Sequence, residues 1–445
     1  MVRTYRIRGR RHYGDTMAGT AGRTSPKAST QEGNSTVTSP ASLSENTSVA
    51  PWQRAASGAN LLSADGSLGA TIFEEMTTLA VSTGAINLGQ GFPDEDGPAE
   101  IKAAAQAAIT AGANQYAPGK GLPELREAIA VHQERFYGLS PDPQTEVIVT
   151  TGATEAIAAS LLAFVEPGDE VLTFEPFYDS YGAIIGLAGA RHVTAPLLAP
   201  GFLPDMDAME SAFSERTKVV LLNNPHNPTG AVFPREVLER IVGLARKYDA
   251  VILSDEVYEH LTFGVQHLPI AGIPGAAERS VTISSAGKTF SFTGWKIGWL
   301  SGPAHLVAAI RTVKQFLSYS SGTPFQSAIA TGLALPDEFY TGIASALQHK
   351  RDILAEGLRA AGFGVYTPRG TYFINVDTAP LGISDSVDLA RRLPELVGVA
   401  AIPVPVFCHP EGAERTRSLL RFAFCKRTEV LEEAAARLAT LRDKL

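Results

Sequence analysis

Val219-Val220-Leu221-Leu222 is followed by Asn223-Asn224-Pro225-His226-Asn227-Pro228-Thr229-Gly230, by a helical pattern over 235–247, and then by Val251-Ile252-Leu253. The two apolar runs are short and unbroken rather than alternating, as strands covered on both faces are. Turn formers close the first run, and a helix separates it from the second. The stretch therefore reads as strand, loop, helix, strand, the unit from which parallel sheets are built.

The same unit recurs in both directions. Apolar, β-branched runs at 146–150, 171–174 and 281–283 add three strands, and a second helical pattern covers 154–164. This predicts an α/β chain whose large domain is a three-layer αβα arrangement around a mainly parallel sheet. Strand-dense sequence ends near Pro336, helix-rich sequence follows, and Gly370-Thr371-Tyr372-Phe373-Ile374-Asn375-Val376 reads as a strand of a second, smaller α+β domain. The expected division is a disordered extension over 1–60, an N-terminal arm and part of the small domain over 61–100, the large domain over 101–335, and the rest of the small domain over 336–445.

A chain of 445 residues exceeds what one core usually supports, so two domains are expected. Its net charge of −8 argues against a general nucleic-acid binder, which needs a basic face. The sequence has no run of about 20 uncharged apolar residues, so no membrane span is expected. Cys408 and Cys425 are too few for a disulfide framework and sit in no metal-ligand spacing; they read as small buried hydrophobes of a reducing compartment, and no metal is expected. Residues 1–60 are rich in Ser, Thr, Gly and Ala without apolar periodicity. Arg3, Arg6, Arg8, Arg10 and Arg11 superficially suit an organelle transit peptide. They form no apolar helical stripe, so a dispensable extension is preferred, with Met17 as an alternative start.

In open α/β sheets, ligands sit beyond the carboxyl ends of the strands, so the polar residues that follow each apolar run are the candidates. After 146–150 comes Thr151-Gly152-Ala153-Thr154-Glu155, either a tight connection or a turn whose helix N-terminus cradles an anion. After 219–222, Asn227 could hydrogen-bond a polar ring, with His226 structural, although the segment is also an ordinary loop. Asp255 ends an apolar run; it is either a helix cap or a buried carboxylate that needs a cation. Tyr258 follows it. After 281–283 comes Ser284-Ser285-Ala286-Gly287-Lys288, with Lys296 eight residues on. A lysine there could be a solvated loop charge. Together, though, an amine, a carboxylate for a ring nitrogen and an anion cradle are what pyridoxal phosphate requires: Lys288 takes its aldehyde and shuttles a proton, Asp255 faces its pyridinium, and Ser285 and Lys296 meet its phosphate.

With those residues placed, the chain resembles the class I/II aminotransferases of the fold-type I pyridoxal phosphate enzymes over residues 61–445. Within them it is most similar to the kynurenine and glutamine transaminase group and to actinobacterial N-succinyldiaminopimelate aminotransferases. Besides the Asn227, Asp255 and Lys288 regions, the carrying segments are Asn87-Leu88-Gly89-Gln90-Gly91-Phe92-Pro93-Asp94, Asn114-Gln115-Tyr116-Ala117-Pro118-Gly119, Glu175-Pro176-Phe177-Tyr178-Asp179-Ser180-Tyr181 and Leu420-Arg421-Phe422-Ala423-Phe424.

The resemblance implies that Lys288 bonds the cofactor, Asp255 pairs with its ring nitrogen, Tyr258 and Asn227 bond its phenolic oxygen and Tyr178 stacks on the ring. It implies that Ala153, Thr154, Ser285 and Lys296 hold the phosphate, with Tyr116 reaching it from the other subunit of a homodimer. Arg421 matches the anchor for the substrate α-carboxylate, which a guanidinium fork suits, and Gly91 lies where that carboxylate approaches backbone. Aromatic-accepting members carry an aromatic and a histidine reaching across the dimer where this chain has Ser321 and Gly322, and a tryptophan where it has Phe73. That departure favours a long or branched side chain, such as an acylated diaminopimelate, over an aromatic one. The expectation is a cytoplasmic, homodimeric aminotransferase exchanging an amino group between an L-amino acid and a 2-oxo acid by a ping-pong route. The same residues would serve a β-lyase acting on cysteine conjugates. A cofactor-sensing transcription regulator is disfavoured because residues 1–60 lack the paired amphipathic helices of a helix-turn-helix.

Overall fold

The structure, a computed structural model, describes residues 49–62 and 65–445. Residues 49–445 form one compact unit. Eight strands make the large sheet: β1 (Val147–Thr150), β2 (Glu170–Glu175), β3 (Arg191–Leu198), β4 (Leu203–Pro204), β5 (Thr217–Asn223), β6 (Val251–Asp255), β7 (Ser280–Ser285) and β8 (Gly298–Ser301). Their spatial order is β1-β8-β7-β6-β5-β2-β3-β4. The run from β3 through β2, β5 and β6 to β7 is parallel, while β8 runs antiparallel to both neighbours and β4 antiparallel to β3.

Side chains alternate across the pleat, and both faces are covered. Leu172, Phe174, Val220, Leu222 and Ile252 pack with Val237, Leu238, Ile241 and Val242 of the helix Arg235–Lys247. Val171, Val219, Leu221, Leu253, Val281 and Ile283 point the other way, toward Ile157 and Leu161 of the helix Gly152–Phe164 and Val307 and Ile310 of the helix Ala304–Leu317. Burial on both faces removes any polar alternation, so the runs are continuous. Each such Leu or Ile contributes on the order of 2 kcal/mol by leaving water.

A second sheet is antiparallel: β9 (Gly364–Tyr366), β10 (Phe373–Asp377), β11 (Ile402–Pro403) and β12 (Leu419–Ala423), in the order β9-β10-β12-β11. Buried residues of the helices Asp337–Ala360, Ser386–Val397 and Thr428–Leu438 share its core, with Met76 and Ala80 of the helix Ile72–Thr83. Ile86–Asn87 pairs in parallel with Val399–Ala400, which fastens the arm to this layer.

Two expectations need correcting. The ordered chain reaches further toward the N-terminus than residue 61: Pro51–Gly58 is a helix packed against the helix Asp179–Ala188. The contact is glycine-made, since a Cβ at Gly58 or Gly182 would fall 2.1 Å from the other's carbonyl oxygen. Low apolar content concealed it because backbone proximity, not side-chain burial, forms much of the contact. The expected extension up to residue 48, including its arginines and Met17, lies outside the described residues. The strand expected over 370–376 begins only at Phe373, because Thr371 adopts a left-handed φ of 63° that no strand accommodates.

Candidate active site

The carboxyl ends of β1, β2, β5, β6 and β7 converge on a cavity of about 380 Å³. β1 ends in Thr150, and Gly152 turns the chain into a helix with φ +74°, a conformation that glycine adopts without cost. That helix presents unpaired N–H groups and the positive end of its dipole. Gly298 at the start of β8 lies so close that a Cβ there would sit 2.6 Å from the carbonyl carbon of Gly152. Lys296, itself left-handed at φ 55°, lays its Cε 3.4 Å from where a Gly152 Cβ would stand. Ser285 pairs directly with Gly298 across β7 and β8, so the loop carrying Lys288 and Lys296 is closed at its base. Ala153, Thr154, Ser285 and Lys296 all line this end of the cavity. A helix N-terminus, a hydroxyl and a cation suit a phosphate.

Asp255 closes β6 and is buried. Its Oδ2 accepts the Tyr181 hydroxyl at 2.6 Å, and Val257 N–H approaches Oδ1 at 3.4 Å. No Lys or Arg among the described residues forms an ion pair with it; burial pushes its carboxyl up to about 6, against the Tyr181 hydrogen bond. Asn223 fixes the backbone on either side, donating from Nδ2 to the Asp255 carbonyl at 2.9 Å and accepting the Asn227 N–H on Oδ1 at 2.7 Å.

Lys288 lies in the short helix Ala286–Thr289 that follows β7, and its Nζ sits 5.7 Å from the Tyr258 ring centre and 5.6 Å from that of Tyr372. Among the described residues it has no hydrogen-bond or ion-pair partner, and burial holds its pKa below the usual lysine range. The amine therefore tends toward the neutral form that attacks a carbonyl. Tyr178, just before the helix Asp179–Ala188, also lines the cavity; burial raises its phenol to about 12. The Tyr258 phenol is raised by burial as well.

Arg421 sits in the middle of β12, opposite Asn375, and is 2% exposed. Its Nη1 donates to Asn227 Oδ1 at 3.0 Å and its Nη2 to the Gly89 carbonyl at 3.0 Å, while Nε has no partner. The guanidinium lies 4.1 Å from the Phe373 ring centre and 4.7 Å from that of Phe407, with Phe73 at 5.6 Å. Burial lowers its pKa to about 10, and no carboxylate among the described residues pairs with it. A buried cation of that kind is suited to a ligand carboxylate. Gly91 borders the same space, where a Cβ would fall 2.3 Å from Phe373 Cζ, and its carbonyl accepts the Tyr372 hydroxyl at 2.5 Å.

Every residue expected in the site lines this cavity except Tyr116, which is 84% exposed and packs edge-on against Tyr319 at 5.6 Å. Ser321 and Gly322 precede the helix Thr323–Leu333 and do not line it; Ser321 Oγ lies 3.0 Å from Thr151 Oγ1. His226 is buried and bonds Thr229 Oγ1 at 2.8 Å. Cys408 and Cys425 are buried free thiols. Sequence reasoning missed Tyr181, Asn223 and Asn375, whose Nδ2 donates to the Pro228 carbonyl at 3.2 Å. For Asn223 the signal was present, since it follows an apolar run; Tyr181 lies inside a helix and Asn375 inside a strand, where nothing marks them.

A family model, "Aminotransferase class I and II", matches residues 83–438. The chain is 50% identical over 383 residues to a Mycobacterium tuberculosis protein named probable N-succinyldiaminopimelate aminotransferase DapC, covering 84% of this chain and 96% of that one. It is 41% identical over 375 residues to a methionine aminotransferase of Escherichia coli, covering 84% and 96%. A solved structure of the N-succinyldiaminopimelate aminotransferase from M. tuberculosis superposes with a TM-score of 0.81 at 52% identity, over 84% of this chain and 97% of that one. The eight-stranded sheet with its single reversed inner strand, the antiparallel second sheet and these matches agree: this chain belongs to the class I and II aminotransferases, enzymes that move an amino group between an amino acid and a 2-oxo acid.

Proposed function

We propose that this aminotransferase uses pyridoxal 5'-phosphate held in the cavity, exchanging the amino group of a long-chain L-amino acid of the N-acyl-diaminopimelate kind with a 2-oxo acid such as 2-oxoglutarate in two half-reactions. One observation carries the reading: an amine without a partner, Lys288, and a carboxylate without a cation, Asp255, open on one cavity beside a helix N-terminus. The donor set fits the group at each end. Bound there, it would supply an electron sink for the bond that breaks at the substrate α-carbon.

The protein's own part follows from its geometry. Asp255, kept in place by Tyr181 and the Asn223 bridge, supplies the negative charge opposite a protonated ring nitrogen. Asn227 Oδ1 is occupied by Arg421, so its Nδ2 is the group left to donate, together with the Tyr258 hydroxyl, toward a phenolic oxygen. The outer N–H groups of Arg421 receive the substrate α-carboxylate near Gly91. The Lys288 Nζ, buried in the cavity and without a partner among the described residues, would take the proton from the substrate α-carbon and hand it back. Phe73, Phe92, Tyr178 and Phe373 around it limit access of water. In the proposed homodimer, small residues at 321 and 322, in place of an aromatic and a histidine that would reach across into the partner's cavity, would leave room there for a long side chain.

The working unit we propose is a homodimer, with Tyr116 completing the partner's phosphate site. Exposed Tyr116 and Tyr319, in edge-to-face contact, and exposed Phe316 and Leu317 at the end of the helix that leads to Tyr319 support this, being large apolar groups left open to a partner. Two buried free thiols fit a cytoplasmic setting, and no helix among the described residues is long and apolar enough to cross a membrane. The test is spectroscopic and kinetic. The purified protein carries a visible cofactor band that amino donors bleach; Lys288→Ala loses the covalently bound form and orders of magnitude in turnover. Near-normal turnover in that variant would overturn the assignment, and a strong preference for kynurenine over succinyldiaminopimelate would overturn the substrate class.

A further inference from the structure

Outside the cavity, three ligand-type side chains meet next to the turn that carries Tyr258. His132, from the helix Pro123–Tyr137, and Glu259 and His260, which directly follow Tyr258, each place a nitrogen or oxygen within 4.8 Å of the others. The Nε2 atoms of the two histidines are 2.7 Å apart. His132 and Glu259 are buried, and none of the three lines the cavity. The two rings meet edge to face, their centres 4.9 Å apart. Neutral imidazole is the form that ligates a metal.

Two further groups adjoin the cluster. Glu259 Oε1 accepts the Ser284 hydroxyl at 2.5 Å, but its carboxylate forms no ion pair with Lys or Arg among the described residues. A buried carboxyl either keeps its proton or takes a cation. The Tyr137 hydroxyl, at the end of the helix that supplies His132, is buried beside the Glu259 carboxyl. An imidazole–imidazole hydrogen bond satisfies one nitrogen of each ring and leaves the Glu259 carboxyl without a cation among the described residues.

We propose that His132, Glu259 and His260 form a zinc site, with the Tyr137 hydroxyl beside the fourth position. Two nitrogens and a carboxylate oxygen are a donor set that Zn²⁺ prefers. Tetrahedral ligation at about 2.0 Å needs the donor atoms about 3.3 Å apart, so the two nitrogens separate by about 0.6 Å while the Glu259 oxygen, within 4.8 Å of them, closes to the same spacing. The metal would tie the helix Pro123–Tyr137 to the turn at 256–260, and so steady Asp255 and Tyr258 from behind. The neighbouring Glu256–His267 contact at 2.8 Å braces the same turn. The ligands are too far apart in sequence for any spacing to reveal them.

The full chain with its cofactor bound is stripped with a chelator, incubated with equimolar ZnCl₂, desalted and assayed by mass spectrometry for metal; CoCl₂ is used in parallel for absorption. Wild type should retain about one zinc per chain, show the visible bands of tetrahedral Co²⁺ and unfold at a higher temperature with zinc than without. His132→Phe, which keeps an aromatic ring in place, and Glu259→Gln should each weaken zinc binding at least tenfold while the cofactor band persists. Wild type that retains no zinc and shows no cobalt bands, or variants that bind zinc as wild type does, would overturn the site. The cobalt spectrum decides even where a variant does not fold.

Discussion

Asp255→Asn separates what the Asp255 charge costs the fold from what it gives the reaction. In the cofactor-free chain this carboxyl is buried, has one good hydrogen bond from Tyr181, and is held up to about 6 from an ordinary 3.8. An acid whose pKa is higher folded than unfolded binds its proton more tightly in the fold. Its contribution is therefore favourable below about pH 4 and is lost as pH rises through about 6. A displacement of about two pH units corresponds to about 3 kcal/mol, fully lost by pH 8. Asparagine keeps the shape and can still accept from Tyr181, but it carries no charge. Thermal unfolding of cofactor-free wild type and Asp255→Asn, followed by circular dichroism from pH 5 to 8, should therefore diverge. Between those limits wild type loses about 1.4 kcal/mol of the total, so the variant should gain on it by roughly 2 °C. With cofactor bound the order should reverse, because the ring nitrogen then neutralises the wild-type carboxylate and the variant loses that pair. Parallel pH profiles, or a cofactor-free variant less stable than wild type at pH 8, would refute the idea that an uncompensated carboxylate waits at 255.

Two other substitutions probe the groups around it. Arg421→Lys keeps the charge but loses the fork that meets Asn227 and Gly89; losing bidentate recognition should lower kcat/KM for the amino donor about 100-fold, equivalent to about 3 kcal/mol, mainly through KM. An unchanged KM would remove Arg421 from carboxylate binding. Tyr181→Phe deletes the 2.6 Å donor to Asp255; a hydrogen bond to a charged group is worth about 2 kcal/mol, so cofactor affinity should fall by about 30-fold with the fold intact. Equilibrium dialysis of the cofactor measures it, and an undiminished affinity would make Tyr181 a packing residue.

The parts of this fold that could be read in the sequence are those where burial on both faces leaves a continuous apolar run: β2, β5, β6 and β7 are of this kind, and β5, β6 and β7 each hand a polar residue at their end to the cavity, whereas Glu175 at the end of β2 pairs with Arg415 instead. β3 could not be read so, because it lies near the sheet edge, is only partly buried and contains Pro196. β8 is four residues long and begins with a glycine chosen for the approach of Gly152 rather than for strand propensity. The polar groups followed the same rule. Asp255, Asn227, Ser285 and Lys288 stand at strand ends where a polar residue is conspicuous. Tyr181 and Asn375 are polar residues within regular elements, so their roles arise only from tertiary packing.

The pairing of Ser285 with Gly298 has a mechanical consequence. The two lysines hang from a single handle whose feet are stitched into adjacent strands, so chemistry and anchorage translate together when the sheet flexes. Residues added at the far bend of that handle would bulge away without altering the reach of either amine, whereas one residue removed from a foot would misalign both at once.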